Sequence, residues 1–357
     1  MEGGMAKRLK TAGRSDVRGQ HYVPRMLQAP FATEATGKKA QVHVFDKHTG
    51  ATFRTAPDNI LQARDFNTFE GEGRTVCLED PMAAVESDAA PVLERIRAER
   101  SVAGLNEDER AKVCVFAALQ RVRGISTRAS LRHVGELLRK RLTQAGMKAE
   151  QLADYAGDND PEQLKLNALE MVAKGLGTFS QAIAMKDMVS FEAPVGHTFL
   201  LGDCPVVLMN NVDHGPRGSI GLDVVGIEIY LPIAPDLALG FLCPSLIPSI
   251  AEASARYGAS LKSTAVTAFV ARGPEADHLR AMRAELQIKK AKIDADLAAF
   301  REGRPVVNDP ENMDYVNSLQ VLQSERHVVS ATGNFDLVRE MIAKDERTRT
   351  GARATMA

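Results

Sequence analysis

Cysteine is scarce: Cys77, Cys114, Cys204 and Cys243 are the only four in 357 residues, and no two form a CxxC pair. That spacing excludes a zinc knuckle and a disulfide-built scaffold, and thiols so dispersed fit a reducing cytosol. Neither HExxH nor GxxxxGK[ST] occurs, so local spacing announces no zinc-protease helix and no Walker-type phosphate loop. Gly175 and Gly177 lack the third glycine of a dinucleotide fingerprint and lie inside a helical pattern. No apolar run reaches the roughly 18 residues that span a bilayer. The formal net charge of −1 gives no overall electrostatic reason to seek nucleic acid or anionic lipid. The leader, residues 1–18, carries Lys7, Arg8, Lys10, Arg14 and Arg18 without the apolar centre of a signal peptide. A solvated basic tail on a cytoplasmic protein without a membrane span is the expectation.

What is present is the composition of a globular chain, 44% hydrophobic and 25% charged, and a clear succession of periods. QVHVFDKHTGATFRT at 41–55 alternates around a turn ending in Gly50, which predicts a β-hairpin. From Leu78 the apolar residues Met82, Val85, Ala89, Leu93 and Ile96 recur every three or four positions, one face of a helix with Pro81 in its first turn. A second helix starts at the N-cap Asn106 with Glu109 as capping-box partner, and a third runs from Ser126 to Leu142. After an acidic break at 146–160, a long helical pattern extends from Pro161 to about Val189. HTFLLGD, PVVLMNN, GIEIYLPIAP and LALGFLC then read as strands of an antiparallel sheet, while LKSTAVTAFVARG fits strand or helix equally. Helices close the chain at about 274–302, 310–328 and 335–343.

The order predicts an α+β fold: N-terminal β-hairpin, central helical block, antiparallel sheet and C-terminal helices. Residues 19–345 are read as a single domain, with the helical block at about 79–190, the sheet-rich part at about 196–272, the last helices at 274–344 and a tail at 346–357.

Four groups of residues carry candidate chemistry. Glu79 and Glu86 are two turns apart on one helix, so both carboxylates point the same way, beside the apolar Met82. An acid bordering a core needs an arginine, a metal ion or a proton; the plainer reading is that glutamates early in a helix favour its dipole. Gln120, Arg121, Arg123, Arg128 and Arg132 gather across a helix end, where guanidinium forks either pair with those acids or hold a phosphate or carboxylate. Cys204, in Leu-Gly-Asp-Cys-Pro, is either a small buried residue at a turn or a nucleophile served by His21 or His197 with Asp203 as orienter. His21 itself, in His-Tyr-Val-Pro-Arg, is either a peg for the first segment or a catalytic base.

Seven stretches share one further property. HYVPRMLQAPF at 21–31, VHVFDKHTG at 42–50, LEDPMAAVES at 78–87, FAALQRVRGISTR at 116–128, FLLGDCPVVLMN at 199–210, IEIYLPIAPDLAL at 227–239 and NSLQVLQSERHVVS at 317–330 resemble, in order, the blocks of the domain-of-unknown-function family 4238. The resemblance points to His21, Tyr22, Pro24, Asp46, Lys47, Glu79, Glu86, Gln120, Arg123, Arg128, Asp203, Pro205, Pro232, Pro235 and Asn317, and implies no established activity. Arg25 stands where glutamine is frequent and Cys204 where asparagine is usual, which weighs against a cysteine mechanism.

The residue types together lead to one expectation: a metal-assisted hydrolase of a phosphoester, in its narrower form a nuclease. Glu79, Glu86 and Asp203 would hold a divalent ion such as Mg or Mn, His21 would act as general base, and Arg123 with Gln120 would steady the phosphoryl group of a nucleic acid or other phosphorylated ligand. The rival expectation is a non-catalytic binding or regulatory module whose polar cluster is structural.

Overall fold

The computed structural model describes residues 18–33, 39–71, 74–148, 151, 161–212, 214, 220–270 and 272–353. Nearly all of the basic leader, most of the acidic break and the last four residues lie outside these. The fold is α+β, organised on two main sheets. The larger has the order β12-β7-β11-β10-β9, built from β7 (Asp187–Glu192), β9 (Val207–Asn210), β10 (Ile227–Ala234), β11 (Leu237–Leu242) and β12 (Val306–Val307). Its pairings are antiparallel except the parallel contact of β12 with β7. The smaller has the order β3-β2-β13-β8, with β2 (Val42–Asp46), β3 (Thr52–Thr55), β8 (Leu201–Gly202) and β13 (His327–Ser330). Two ribbons complete the strands: β1 (Gly19–His21) with β4 (Gln62–Arg64), and β5 (Thr68–Gly71) with β6 (Arg74–Cys77).

The helices are α1 (Arg25–Gln28), α2 (Glu79–Glu99), α3 (Glu107–Val122), α4 (Ile125–Gln144), α5 (Pro161–Ala184), α6 (Leu246–Ser263), α7 (Ala265–Val270), α8 (Gly273–Glu302), α9 (Pro310–Gln323) and α10 (Asp336–Lys344). Alternation along β10 sorts the layers. Ile227, Ile229, Leu231 and Ile233 join the core shared with α2 and α3, which includes Leu93, Ile96, Phe116 and Leu119. Tyr230 faces the opposite side, where Met313, Val316 and Leu319 of α9 cover the sheet. With both faces covered, β10 and β11 lose almost all exposure, which explains their near-continuous apolar sequence. Burying each such side chain contributes about 1.5–3 kcal/mol.

Several sequence expectations are met at the level of single residues. The β2–β3 hairpin turns at Gly50, with φ of +76°, and Asn106 forms the full capping box with Glu109. Others are corrected. The helix read over 161–189 stops at Ala184, because Asp187–Glu192 finds ladder partners in β11 that outweigh a helical continuation. The helix expected to reach Val328 stops at Gln323, since His327–Ser330 pairs with β2. The stretch assigned to a sheet-rich part up to 272 turns helical at Leu246, and LKSTAVTAFVARG is helical as far as Val270. HTFLLGD supplies only Leu201–Gly202, and to the smaller sheet.

Candidate functional site

Four segments meet around Arg123, the C-cap of α3. The residue is 3% exposed; Nη1 donates to Glu86 Oε1 at 2.6 Å and Nε to the Tyr22 carbonyl at 2.9 Å, while the buried Nη2 has no hydrogen-bond partner. Glu86 and Glu79 reach this point from one side of α2, as their helical spacing requires. Glu79 is half-buried and accepts from the amide of Asn67. Burial pushes its carboxyl up, against the pull of that amide and of Arg123. Asn67 is held in turn by the Gln20 side chain on its N–H at 2.5 Å and by the Leu78 N–H on its carbonyl at 2.9 Å.

His21 ends β1 opposite Gln62 of β4. Its Nε2 lies 3.2 Å from the Pro57 carbonyl, which only accepts, so Nε2 carries the proton and Nδ1 is the bare nitrogen. Burial first, then the charges of Arg25 and Arg123, push the imidazole below its ordinary value, against the Pro57 bond and Asp58. Arg123 therefore pairs with Glu86 and acts through space on both Glu79 and His21. Gln120, one turn before it, is buried with neither end of its amide hydrogen-bonded.

The wall beside this centre is aromatic. The Arg128 guanidinium carbon lies 3.4 Å from the Phe66 ring centroid, and Nη2 donates to the Phe66 carbonyl at 2.5 Å. Burial pushes Arg128 down to about 10. Phe66 meets Tyr22 at 5.3 Å between centroids. The backbone nearby is strained: Leu61, whose carbonyl accepts from the Tyr22 N–H, and Asp65 have φ of +56° and +51°.

The Asp203 carboxylate is committed to the backbone and does not serve this centre as a ligand. It is completely buried, and its oxygens accept from the main-chain N–H groups of Glu325 at 2.6 Å and of Arg326 and His327 at 2.7 Å. Glu79, Glu86 and Asp203 therefore do not form a metal-binding set. The first two are engaged by Asn67 and Arg123, the third by the backbone, and among the described residues no three His, Cys, Asp or Glu gather as a metal cage. The donor set does not fit a divalent ion, because a guanidinium already stands where the charge of a cation would be needed.

Other motif residues also serve the scaffold. Lys47, fully buried in the hairpin turn, donates to the carbonyls of Val321 and Ser324 at 2.5 and 2.6 Å, closing the C-terminal end of α9. Asn317, Gln320 and Gln323 rise one turn at a time along α9, accepting from the N–H groups of Leu200, Gly202 and Leu208. Cys204 is buried with its thiol pushed up by burial, and His197 is exposed and bonded to its own loop, so neither forms a nucleophile pair. Sequence reasoning missed Asn67 and Phe66, which sit in a turn with no motif of their own.

The family model for Protein of unknown function (DUF4238) matches residues 19–334, and the chain belongs to that family. No curated protein and no solved structure matches it.

Proposed function

We propose that this family member hydrolyses a phosphoester at the His21–Glu79–Arg123 centre, in the narrower form as a nuclease, and that it does so in the cytoplasm without a carboxylate-caged metal ion. The observation that carries the reading is Arg123. A guanidinium almost wholly withdrawn from water, with one donor left unpartnered beside a half-buried histidine and a half-buried acid, is a costly arrangement that stability alone rarely explains. In this reading Nη2 would take one oxygen of a phosphoryl group and the Gln120 amide a second, once the centre opens, since both are shut from solvent in the closed fold. All four cysteines are buried free thiols, the form that a reducing compartment maintains.

In this scheme His21, held neutral by burial, takes a proton from water at Nδ1 as the water oxygen bonds to phosphorus. The leaving oxygen departs with its electron pair and takes a proton from the Glu79 carboxylic acid, a form that burial favours. Proton return from His21 to Glu79 through solvent restores both. Arg123 steadies the charge on the transferring group, and Glu86 fixes the guanidinium in place.

One observation favours the alternative, a binding or regulatory module: the Arg123–Tyr22 and His21–Pro57 bonds fasten the first segment of the fold. Hydrolysis of bis(4-nitrophenyl) phosphate, assayed with and without a chelator, separates the two. The catalytic reading expects turnover that survives chelation and falls at least about 100-fold in His21→Gln and Glu79→Gln. Those variants should keep a melting temperature near wild type, and Arg123→Lys should raise KM more than the others. Absence of turnover on mono- and diesters, with all three variants merely less stable, would establish the structural role.

A further inference from the structure

On the face of the larger sheet away from α2 and α3, a cleft of about 430 Å³ opens beside the first turns of α9, within the roughly 300–1,000 Å³ of small-molecule sites. Phe191, Tyr230 and Tyr315 wall it, with the carboxylate of Glu228 among them. The chain has only five tyrosines, so two in one cleft is a concentration of a scarce residue.

The sheet is shaped to bring these rings together. Gly240 of β11 lies between Val189 of β7 and Tyr230 of β10. A Cβ there would fall 2.4 Å from the Phe191 ring, so the missing side chain is what lets Phe191 lie across β11. The ring thereby meets Tyr230, two strands away, at 5.6 Å between centroids.

Glu228 is half-buried with Oε2 accepting from the Tyr230 hydroxyl at 2.5 Å and Oε1 from the Asn211 amide at 3.3 Å. Among the described residues no lysine, arginine or histidine pairs with it, and the other charged residue of the lining, Glu311, is also acidic. A carboxylate withdrawn from water without a countercharge is held at a cost, which a cation seated beside it removes. Aromatic faces around a carboxylate suit a cation whose charge is spread over carbon.

We propose that this cleft binds a small alkylammonium ion, its charged head against Glu228 and its methyl or methylene groups against Phe191, Tyr230 and Tyr315. The site is independent of Arg123 and of the hydrolytic reading.

Calorimetric titration of the full-length protein with choline, tetramethylammonium and 3,3-dimethylbutan-1-ol, the uncharged carbon counterpart of choline, tests it. Both ammonium ions are expected to bind, with the neutral alcohol at least about tenfold weaker. Glu228→Gln, whose single oxygen keeps an acceptor for the Tyr230 hydroxyl while its NH₂ faces an Asn211 amide that can flip to accept, should weaken choline about tenfold with the fold intact by thermal denaturation. Tyr315→Leu, at a half-exposed position on α9, should do the same and serves if the glutamine variant is unstable. Equal affinity for alcohol and choline, no binding of either ammonium ion, or unchanged affinity in both folded variants overturns the proposal.

Discussion

Replacing Asp203 by asparagine separates a structural carboxylate from a ligand-binding one. The side chain is completely buried and accepts three consecutive main-chain N–H groups, those of Glu325, Arg326 and His327, where the chain leaves α9 and enters β13. Asparagine has one oxygen. Placed where Oδ2 stands, that oxygen keeps the bonds from Arg326 and His327 but turns an amide NH₂ toward the N–H of Glu325. The variant loses one charge-assisted bond, about 1.5–3 kcal/mol, and opposes two donors in a dry site. It also relieves the desolvation of a charge, which returns part of the loss. The expected net destabilisation is about 3 kcal/mol, rising to about 4–5 kcal/mol in Asp203→Ala, where all three N–H groups lose their acceptor.

Equilibrium urea denaturation followed by circular dichroism reads these differences. Lys47→Met supplies the second arm of a cycle, because Lys47 is buried within electrostatic range of Asp203 and caps the same end of α9. The double variant should fall short of the summed single effects by about 1–2 kcal/mol. A loss below about 1 kcal/mol in both Asp203 variants would refute the reasoning, since it would mean that the loop from 325 to 327 does not depend on this carboxylate.

Two further outcomes follow from single residues. Gly202→Ala places a Cβ 2.0 Å from Ser324 Oγ and 3.0 Å from the Gln320 carbonyl, so it should cost about 1–3 kcal/mol, partly recovered when Ser324 is also made alanine; a melting temperature unchanged from wild type would contradict the packing. His327, pushed down to about 4 by burial and then by Arg326, binds fewer protons folded than unfolded between that value and about 6.5, so it withdraws stability as pH falls through this window. His327→Gln should flatten the acid side of the stability profile there, and an unchanged difference between wild type and variant from pH 7 to pH 4 would count against it.

How much of this was legible depends on what kind of partner each residue has. Glu79 and Glu86 could be placed together because helical spacing is periodic, and the buried Met82 between them marked their side of α2 as the inner one. Their arginine, Arg123, was singled out by the family blocks, and the fold seats it on Glu86, whereas the Arg121 guanidinium meets Cys204 and the Val206 carbonyl. Asp203 was misread because its partners are main-chain N–H groups, which no sequence pattern reveals. Asn67 was missed for a related reason: its position rests on Gln20, distant in sequence. The ends of α5 and α9 were overrun because both continuations are strands fixed by pairing with remote segments, β11 and β2.

The buried polar side chains thus divide by partner. Lys47, Asp203, Asn317 and Gln320 bind main-chain groups, and these contacts join the hairpin, β8 and the end of α9 into one body. Arg123, Gln120 and Asn67 instead leave buried polar atoms unfilled at the meeting of β1, α2 and α3. Main-chain bonds tolerate little substitution, because a truncated side chain leaves a buried donor or acceptor orphaned. A site atom without a partner has no such bond to lose. Gln120→Leu should therefore be nearly neutral for folding, or stabilising, whereas Gln320→Leu orphans the Gly202 N–H and the Pro205 carbonyl and costs about 2–4 kcal/mol. Equal destabilisation of the two variants in urea would mean that Gln120 is a scaffold residue after all, and with it the centre around Arg123.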